Sequence, residues 1–332
     1  MVGTVNSKYA LAKNDGIYRD DAFDANPSWK ETLIIFSKNK GAVIGVFFII
    51  FMVLLSIVGP HMNSYSYDLV QMEKQNMPPR IPGLEKLGIF NGVTEGIDMY
   101  ELKNCKDEYY WFGTDALGRD LFTRFCQGTR ISLIVAFISA ILNLIIGVGY
   151  GLIAGYYGGK VDNIMMRVIE IINGIPILVI VSLLVVVLSP GLTSIIIALA
   201  ISGWIGMARL VRANTFRLKE SEHIMASKTL GTGTIKILVK EIFPNLLSSV
   251  IVMAMMSVPE AIFMESFLSF IGLGIPAPQA SLGSLMNDGY NHMLMYPYQL
   301  AIPTVFFAIL MISLNLVGDG LRDALDPKQK RM

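Results

Sequence analysis

Charged residues are scarce in this 332-residue chain. Only 16% of its residues are Asp, Glu, Lys or Arg, 53% are hydrophobic, and the mean hydropathy is +0.54. A soluble domain carries about 25% charged residues, so this composition excludes an ordinary soluble protein. It predicts a protein that is embedded in a lipid bilayer.

Histidine and cysteine are also few. The three histidines (His61, His223, His292) are scattered, and no His, Cys or carboxylate cluster has metal-ligand spacing. Neither a nucleophile elbow nor a paired-acid pattern is present, so the sequence predicts neither a metal site nor an enzyme. The two cysteines, Cys105 and Cys126, could form a disulfide in an oxidising exterior or remain free thiols.

A nucleotide-binding motif is missing as well. The stretch GYYGGKV (155–161) superficially resembles a phosphate loop, but Ala154 stands at the first glycine position and Val161 replaces the Ser or Thr that would bind magnesium. We therefore predict that this chain does not hydrolyse ATP. Gly147, Gly151 and Gly155 recur every four residues within an apolar run, which indicates close packing against another helix.

Long apolar runs are the dominant feature of the chain. A bilayer core of about 30 Å needs roughly 20 apolar residues per helix. Uncharged runs cover residues 41–59, 131–159, 171–208 and 300–318, and the run 246–274 contains two glutamates. Residues 171–208 are long enough for two helices, which Ser189, Pro190 and Gly191 would separate. The expected fold is an all-α membrane protein with six transmembrane helices.

The distribution of lysine and arginine predicts the orientation. With a cytoplasmic N-terminus, the inner segments hold most of the Lys and Arg, while the outer segment 275–299 holds none. Both termini are then cytoplasmic. The chain divides into a cytoplasmic segment with an interfacial helix (1–40), the first transmembrane helix (41–60), an extracytoplasmic segment (61–128), a five-helix domain (129–319) and a cytoplasmic tail (320–332).

Two carboxylates, Glu260 and Glu265, lie within an apolar run. A charge at this depth costs a few kcal/mol and normally faces a cavity or another helix. Five residues correspond to about 140° around a helix, so the two side chains cannot share one face. One of them could line a pathway, and a structural hydrogen bond to a neighbouring helix is the alternative.

The largest inner loop spans residues 212–245. Residues 219–230 favour a helix, Gly231 and Gly233 would end it, and Thr234 is a plausible N-cap of a second short helix that would end at Pro244. Such an exposed helix suits docking to a partner, with Ala226 and Ser227 permitting close approach. The alternative is a basic loop that its Lys and Arg side chains hold at lipid headgroups.

This loop resembles the "EAA" loop of the membrane subunits of ABC importers. Its consensus is Glu-Ala-Ala, three residues, Gly, nine residues and I-x-L-P, and Ala226, Ser227, Gly231 and Pro244 stand at these spacings. Met225 replaces the consensus Glu, and Glu241 stands where Ile is common. The resemblance implies that the loop docks an ATPase, with the following coupling residues: Glu222, Met225, Ala226, Ser227, Leu230, Gly231 and Thr232, framed by Gly233 and Pro244.

Other stretches resemble one subfamily more closely. WFGTDALGRDLFTR (111–124), FMESFLSFIGLGIPAP (263–278) and NLVGDGLRDALDPK (315–328) are similar to the C-type membrane subunit of oligopeptide, dipeptide and nickel importers. The resemblance runs from about residue 27 to 328, except for an enlarged outer region at 68–107. It implies the type I ABC importer membrane-domain fold in the cell membrane, as a multi-pass protein.

The resemblance also implies partners. They are a second, B-type membrane subunit, two ATPase subunits that bind ATP and Mg, and an extracytoplasmic substrate-binding protein, with no cofactor in this chain and no nucleic acid. The expected function is the permease half of an ATP-driven importer for oligopeptides or dipeptides. Import of nickel or another small ligand by the same architecture is an alternative, and a proton-coupled secondary transporter is a distant one.

The segment before the second apolar run allows two interpretations. Asp115 is a suitable N-cap, and one side of a helix at the outer interface would then carry Leu117, Leu121, Phe122 and Phe125. Given the resemblance, Asp115, Arg119 and Asp120 could contact the binding protein. A purely structural surface helix is the alternative.

Overall fold

The computed structural model describes residues 29–94 and 96–325. Within that part of the chain almost all regular structure is helical, apart from a short antiparallel hairpin of β1 (Val93–Thr94) and β2 (Ile97–Asp98). The α-helices in chain order are α1 (Trp29–Lys38), α2 (Lys40–Val58), α3 (Met99–Leu102), α4 (Leu121–Tyr157), α5 (Gly159–Asn173), α6 (Ile177–Leu188), α7 (Leu192–Ser202), α8 (Ile205–Leu218), α9 (Glu222–Thr229), α10 (Thr234–Ile237), α11 (Phe243–Phe270), α12 (Leu282–Asn291) and α13 (Tyr298–Leu325).

Five helical stretches are long and apolar enough to cross a membrane, and a bent helix pair supplies a sixth if it is counted as one span. The five are Lys40–His61, Leu121–Tyr157, Leu192–Leu218, Thr234–Phe270 and Tyr298–Leu325. Helices α5 and α6 form the sixth and meet at 77°. Pro176 lies at this bend, where it disfavours helical continuation.

The break predicted in the long apolar run is confirmed. Helix α6 ends at Leu188 and α7 begins at Leu192. Between them Ser189 has φ +69° and Gly191 has φ +156°, so the backbone leaves the helical region on both sides of Pro190. Ser194 donates a 2.6 Å hydrogen bond from its hydroxyl to the carbonyl of Ser189, which closes the turn.

The packing of α4 against α8 uses the glycines that recur every four residues, as predicted. A Cβ atom at Gly147 would lie 2.9 Å from the carbonyl of Trp204, and one at Gly155 would lie 2.7 Å from the carbonyl of Arg212. Only glycine permits such close approach of two helical backbones. This contact joins the second span to the fourth along its whole inner half.

Helix α4 begins ten residues earlier than the apolar run suggested. It starts at Leu121, and its N-cap is Asp120, whose side chain accepts a hydrogen bond from the Thr123 amide. The prediction that Asp115 caps a separate surface helix is therefore wrong. With 37 residues α4 is about 55 Å long, so it extends well beyond a bilayer core of about 30 Å.

Contacts between helices identify the two opposite ends of the bundle. Gly59, at the end of α2, packs against Cys126 in the first turns of α4. At the opposite end, Gly320 in α13 packs against Ala42 and Phe36. The first and last described helices thus meet at the end that also holds the α8–α9 loop, in agreement with termini on one side of the membrane. Residues 1–28 and 326–332 lie outside the described part.

The outer segment between α2 and α4 has a small core of its own. Met77, Tyr100, Cys105 and Tyr110 are its buried residues. Tyr298, at the start of α13, donates a 2.9 Å hydrogen bond to the carbonyl of Met77 and so fixes this segment to the bundle. Burial raises the pKa of the Cys105 thiol.

Cys105 and Cys126 are both free and buried. They belong to different clusters, since Cys126 packs with Phe122 and Phe125 in the outer half of the bundle. The structure therefore has free thiols rather than the disulfide that the sequence left open.

The C-terminal helix crosses the predicted boundary at residue 320. Helix α13 continues without interruption to Leu325. The predicted cytoplasmic tail thus begins as a continuation of the last span, within the described residues.

Candidate functional site

The polar loop that follows α8 folds as a short helix, a glycine turn and a second helix. Helix α9 (Glu222–Thr229) is attached to the bundle through Ile224, which is only 2% exposed. This side chain packs in a cluster with Val211 of α8 and with Ile237 and Ile242 of the following helices. Helix α9 is thereby joined to the two spans on either side of it.

The glycine that ends α9 has the geometry of a Schellman motif. Gly231 has φ +79° and donates its amide to the carbonyl of Lys228, while Thr232 donates its amide to the carbonyl of Ser227. These two bonds satisfy carbonyls that the helix end would leave unpaired. The predicted stop at Gly231 is confirmed, and the positive φ explains why glycine stands there.

The predicted coupling residues form one surface. Glu222, Met225, Ala226, Leu230 and Gly231 are exposed, and Ser227 and Thr232 are half-buried. Leu230 is 85% exposed, although it is a large apolar side chain. We call this surface, residues 222–232 together with the neighbouring Ile235, the α9 surface. An apolar patch on a charged loop is typical of a protein contact.

The helix after the glycine turn differs from the prediction. Gly233, rather than Thr234, is the N-cap of α10, and helical structure then continues as one stretch from Thr234 to Phe270. Pro244 therefore does not end a helix. A π-helical turn at Leu238–Ile242 precedes it, and such a turn accommodates a proline that cannot donate an amide hydrogen.

Two cationic side chains bind to neighbouring helices at the start of the loop. The sequence analysis did not identify either of them as a functional residue. Arg212 of α8 forms a two-pronged ion pair with Asp162 of α5. Lys219 donates a 2.9 Å hydrogen bond from Nζ to the carbonyl of Gly155 at the end of α4. These contacts connect the chain just before α9 to α4 in the second span and to α5 in the third.

A cavity of about 470 Å³ opens in the membrane-spanning part of the chain. Its walls come from the α5–α6 bend, the α7–α8 break and the middle of α11. The breaks expose polar groups that a continuous helix would shield. Its polar lining residues are Asn143, Asn173, Ser202, Arg209, Ser257 and Glu260.

Glu260 and Glu265 have different surroundings. Glu260 is exposed and lines this cavity. Glu265 is fully buried and accepts hydrogen bonds from the hydroxyl groups of Ser132 on α4, at 2.6 Å, and of Ser269, at 2.8 Å. The geometry of Glu265 fits the structural alternative, and that of Glu260 fits a lining residue.

The outer residues that the sequence suggested as contacts for the binding protein (Asp115, Arg119 and Asp120) form ion pairs and hydrogen bonds within this chain. Asp115 is 4% exposed and forms ion pairs with Arg119 and with Arg124 on α4. Arg124 also reaches Asp288 on α12, at 3.4 Å. This network holds the segment before α4 to two helices, which fits the structural interpretation.

Asp120 is equally buried. Its Oδ2 accepts hydrogen bonds from the Thr123 amide, at 2.8 Å, and from the side chain of Asn63, at 2.9 Å, whereas Oδ1 has no partner. Burial raises the pKa of this carboxyl, and the hydrogen bonds oppose the rise. Asp120 thus caps α4 and leaves no exposed carboxylate for a contact.

Family models match two parts of the chain. Residues 147–331 match the binding-protein-dependent transport system inner membrane component. The chain belongs to this family of transport permeases. Residues 28–79 match the N-terminal TM domain of oligopeptide transport permease C. The protein is therefore a membrane permease subunit of the ABC importer family and is located in the cell membrane, and ATP hydrolysis in such importers resides in separate subunits.

Two relatives extend the match over most of this permease. The dipeptide transport system permease protein DppC of Bacillus subtilis (strain 168) is 41% identical over 318 residues, covering 96% of this chain and 90% of that protein. The oligopeptide transport system permease protein OppC of the same organism is 42% identical over 303 residues, covering 91% of this chain and 90% of that protein.

A solved structure agrees on the fold of this permease. A chain of the MetNI methionine ABC transporter, in an inward facing conformation, is 19% identical and superimposes with a TM-score of 0.50. The match covers 61% of this chain and 96% of that chain. The expected type I ABC importer membrane-domain fold is confirmed.

Proposed function

We propose that this permease is the C-type subunit of an ATP-driven importer for oligopeptides or dipeptides, and that it forms one half of the translocation pathway. The identity of 41–42% to dipeptide and oligopeptide permeases supports the class of cargo. The observation that carries the coupling role is the α9 surface, where Met225 is 50% exposed and Leu230 is 85% exposed on a helix that a glycine turn holds rigid.

The proposed assembly contains a B-type membrane subunit, two ATPase subunits and an extracytoplasmic binding protein. The ATPases bind ATP and Mg, and this chain needs no cofactor of its own. One ATPase docks on the α9 surface, where its apolar contacts remove Met225, Leu230 and Ile235 from water. Burying such side chains contributes about 1.5–3 kcal/mol each, before the cost of ordering the interface.

Coupling then follows from the packing of α9. Ile224 links α9 to α8 and, through Ile237 and Ile242, to the helix that continues as α11. Helices α8 and α11 also form walls of the membrane cavity. When ATP binding closes the ATPase pair, α9 moves with it, and the two walls switch between an inward-open and an outward-open arrangement. ATP hydrolysis resets the cycle.

A substitution at Gly231 tests the coupling role. Gly231→Pro cannot adopt φ +79° and loses the amide that caps α9, so we expect the complex to insert into the membrane but to lose ATPase assembly or transport-coupled ATPase activity. Gly233→Ala is the matched control, because Gly233 has φ −63° and open space around its Cβ position.

A bulky residue at Ala226 tests the same surface without disturbing the turn. Ala226 is exposed, so Ala226→Trp leaves the fold intact and blocks the close approach of the ATPase. Membrane insertion is monitored through the expression level of the assembled permease. Coupling is monitored through ATPase activity in the presence of binding protein and peptide. Wild-type coupled activity in both Gly231→Pro and Ala226→Trp would refute the docking role.

A further inference from the structure

Two opposite charges line the membrane cavity. Glu260 projects from α11 and Arg209 from α8, and both side chains are exposed to it. Neither takes part in a hydrogen bond or an ion pair within residues 29–94 and 96–325. The cavity thus offers one free anion and one free cation on two different walls.

Both charges lie well inside the helices that carry them. Glu260 is ten residues from the end of α11 at Phe270, and Arg209 is nine residues from the end of α8 at Leu218. At 1.5 Å per residue these separations are about 15 Å and 14 Å along the helices. A charged group that faces lipid is costly, so charged groups on membrane-spanning helices face a cavity or a partner that satisfies them.

Most of the remaining lining is apolar. Met253 and Met264, which are half-buried, contribute flexible apolar side chains that accept ligands of different shape. The volume of about 470 Å³ falls within the range of about 300–1,000 Å³ for sites that hold small molecules. Fixed opposite charges with variable apolar walls fit a ligand whose charged ends are constant and whose side chains vary.

We infer that this cavity binds the backbone of a short peptide by its two ends, with Glu260 binding the α-ammonium group and Arg209 the α-carboxylate. This inference rests on the proposed peptide cargo and identifies the part of the peptide that the permease itself recognises. Side chains of the peptide contact the methionines and contribute little to selection.

Peptides with blocked ends test the inference directly. The complete membrane complex, with its B-type subunit and ATPases but without the binding protein, is placed in nanodiscs, and the affinities of trialanine, N-acetyl-trialanine and trialanine amide are measured. Blocking either end of the ligand removes one charged hydrogen bond. We expect the wild-type complex to bind either blocked peptide about tenfold to hundredfold more weakly than trialanine.

Variants assign each end of the peptide to its residue. Glu260→Gln removes the preference for a free amino end and keeps the preference for a free carboxyl end, and Arg209→Gln does the reverse. Glu241→Gln on the helical stretch that leads into α11 and Arg217→Gln on α8 are matched controls outside the cavity, and both retain the two preferences.

Equal affinity of the wild-type complex for free and blocked peptides would overturn the inference. So would variants at Glu260 or Arg209 that weaken all three peptides equally, because that pattern indicates a contact with the second membrane subunit. In either case, ATP-driven uptake of trialanine by the full importer would leave the proposed function standing. Absence of ATP-driven uptake of any oligopeptide or dipeptide would refute the proposed function instead.

Discussion

Gly151 lies where α4 crosses α8, and an added methyl group has no room there. A Cβ atom at this position would lie 2.6 Å from the carbonyl oxygen of Ala208 and 2.7 Å from Cβ of Val211. Ordinary contact begins near 3.4 Å, so the two helices would have to separate by about 0.8 Å. Because the nearest atom belongs to the backbone, no side-chain rotation relieves the clash. We expect Gly151→Ala to lower the stability of the complex by about 1–3 kcal/mol.

A neighbouring glycine provides the control. Gly149 is in the same helix, two residues away, and a Cβ atom there meets nothing within 4 Å. Gly149→Ala should leave stability unchanged or raise it by up to about 1 kcal/mol, through the better helix propensity of alanine. The melting temperatures of the two variants are measured on the purified complex, with size-exclusion chromatography as the readout of thermal unfolding. Equal melting temperatures for Gly149→Ala and Gly151→Ala would refute the packing argument.

Two further predictions concern buried groups. Glu265→Leu leaves the Ser132 and Ser269 hydroxyls without their acceptor and should destabilise the complex by about 1–3 kcal/mol for each group left unsatisfied. Glu265→Gln keeps one acceptor oxygen, so this variant should retain most of its stability and transport. A leucine variant as stable as the glutamine variant would contradict this prediction. Cys105 and Cys126 should resist maleimide in the native complex near pH 7 and react after denaturation, and since burial raises its pKa, Cys105 should begin to react only at higher pH than an exposed thiol. An intact mass that changes on reduction would show that a disulfide is present instead.

The spans and the break between α6 and α7 could be predicted because they depend on local properties. Apolar runs report membrane-spanning helices, and Ser189, Pro190 and Gly191 interrupt one of them in any context. The glycine turn at Gly231 is also local, because a positive φ selects glycine. The four-residue repeat of Gly147, Gly151 and Gly155 indicated close packing, although it could not name α8 as the partner.

The sequence-based predictions were wrong where tertiary contacts determine where a helix begins or ends. The apparent apolar run began after Arg130, and Arg124 is a second charge before it. In the fold Arg124 is buried and paired with Asp115 and Asp288, and α4 begins at Leu121. Asp115 was the cap that the sequence indicated, and in the fold the cap of α4 is Asp120. Pro244 is a strong stop signal that a π-helical turn overrides.

The cavity could be anticipated only in part. Glu260 stood out because a carboxylate in an apolar run is rare. Arg209 did not, since it lies at the end of an uncharged run and looks like an ordinary cytoplasmic boundary residue. Its place opposite Glu260 depends on the α7–α8 break and on the approach of α11, which no single segment encodes.

The most direct test of the account is peptide uptake into proteoliposomes of defined composition. With the B-type subunit, both ATPases, the binding protein and ATP, this permease should accumulate a labelled oligopeptide or dipeptide. Uptake should stop when the ATPases or ATP are left out, because this chain supplies a pathway and a docking surface rather than a source of energy. Uptake by this chain alone, without ATPases, would contradict the account.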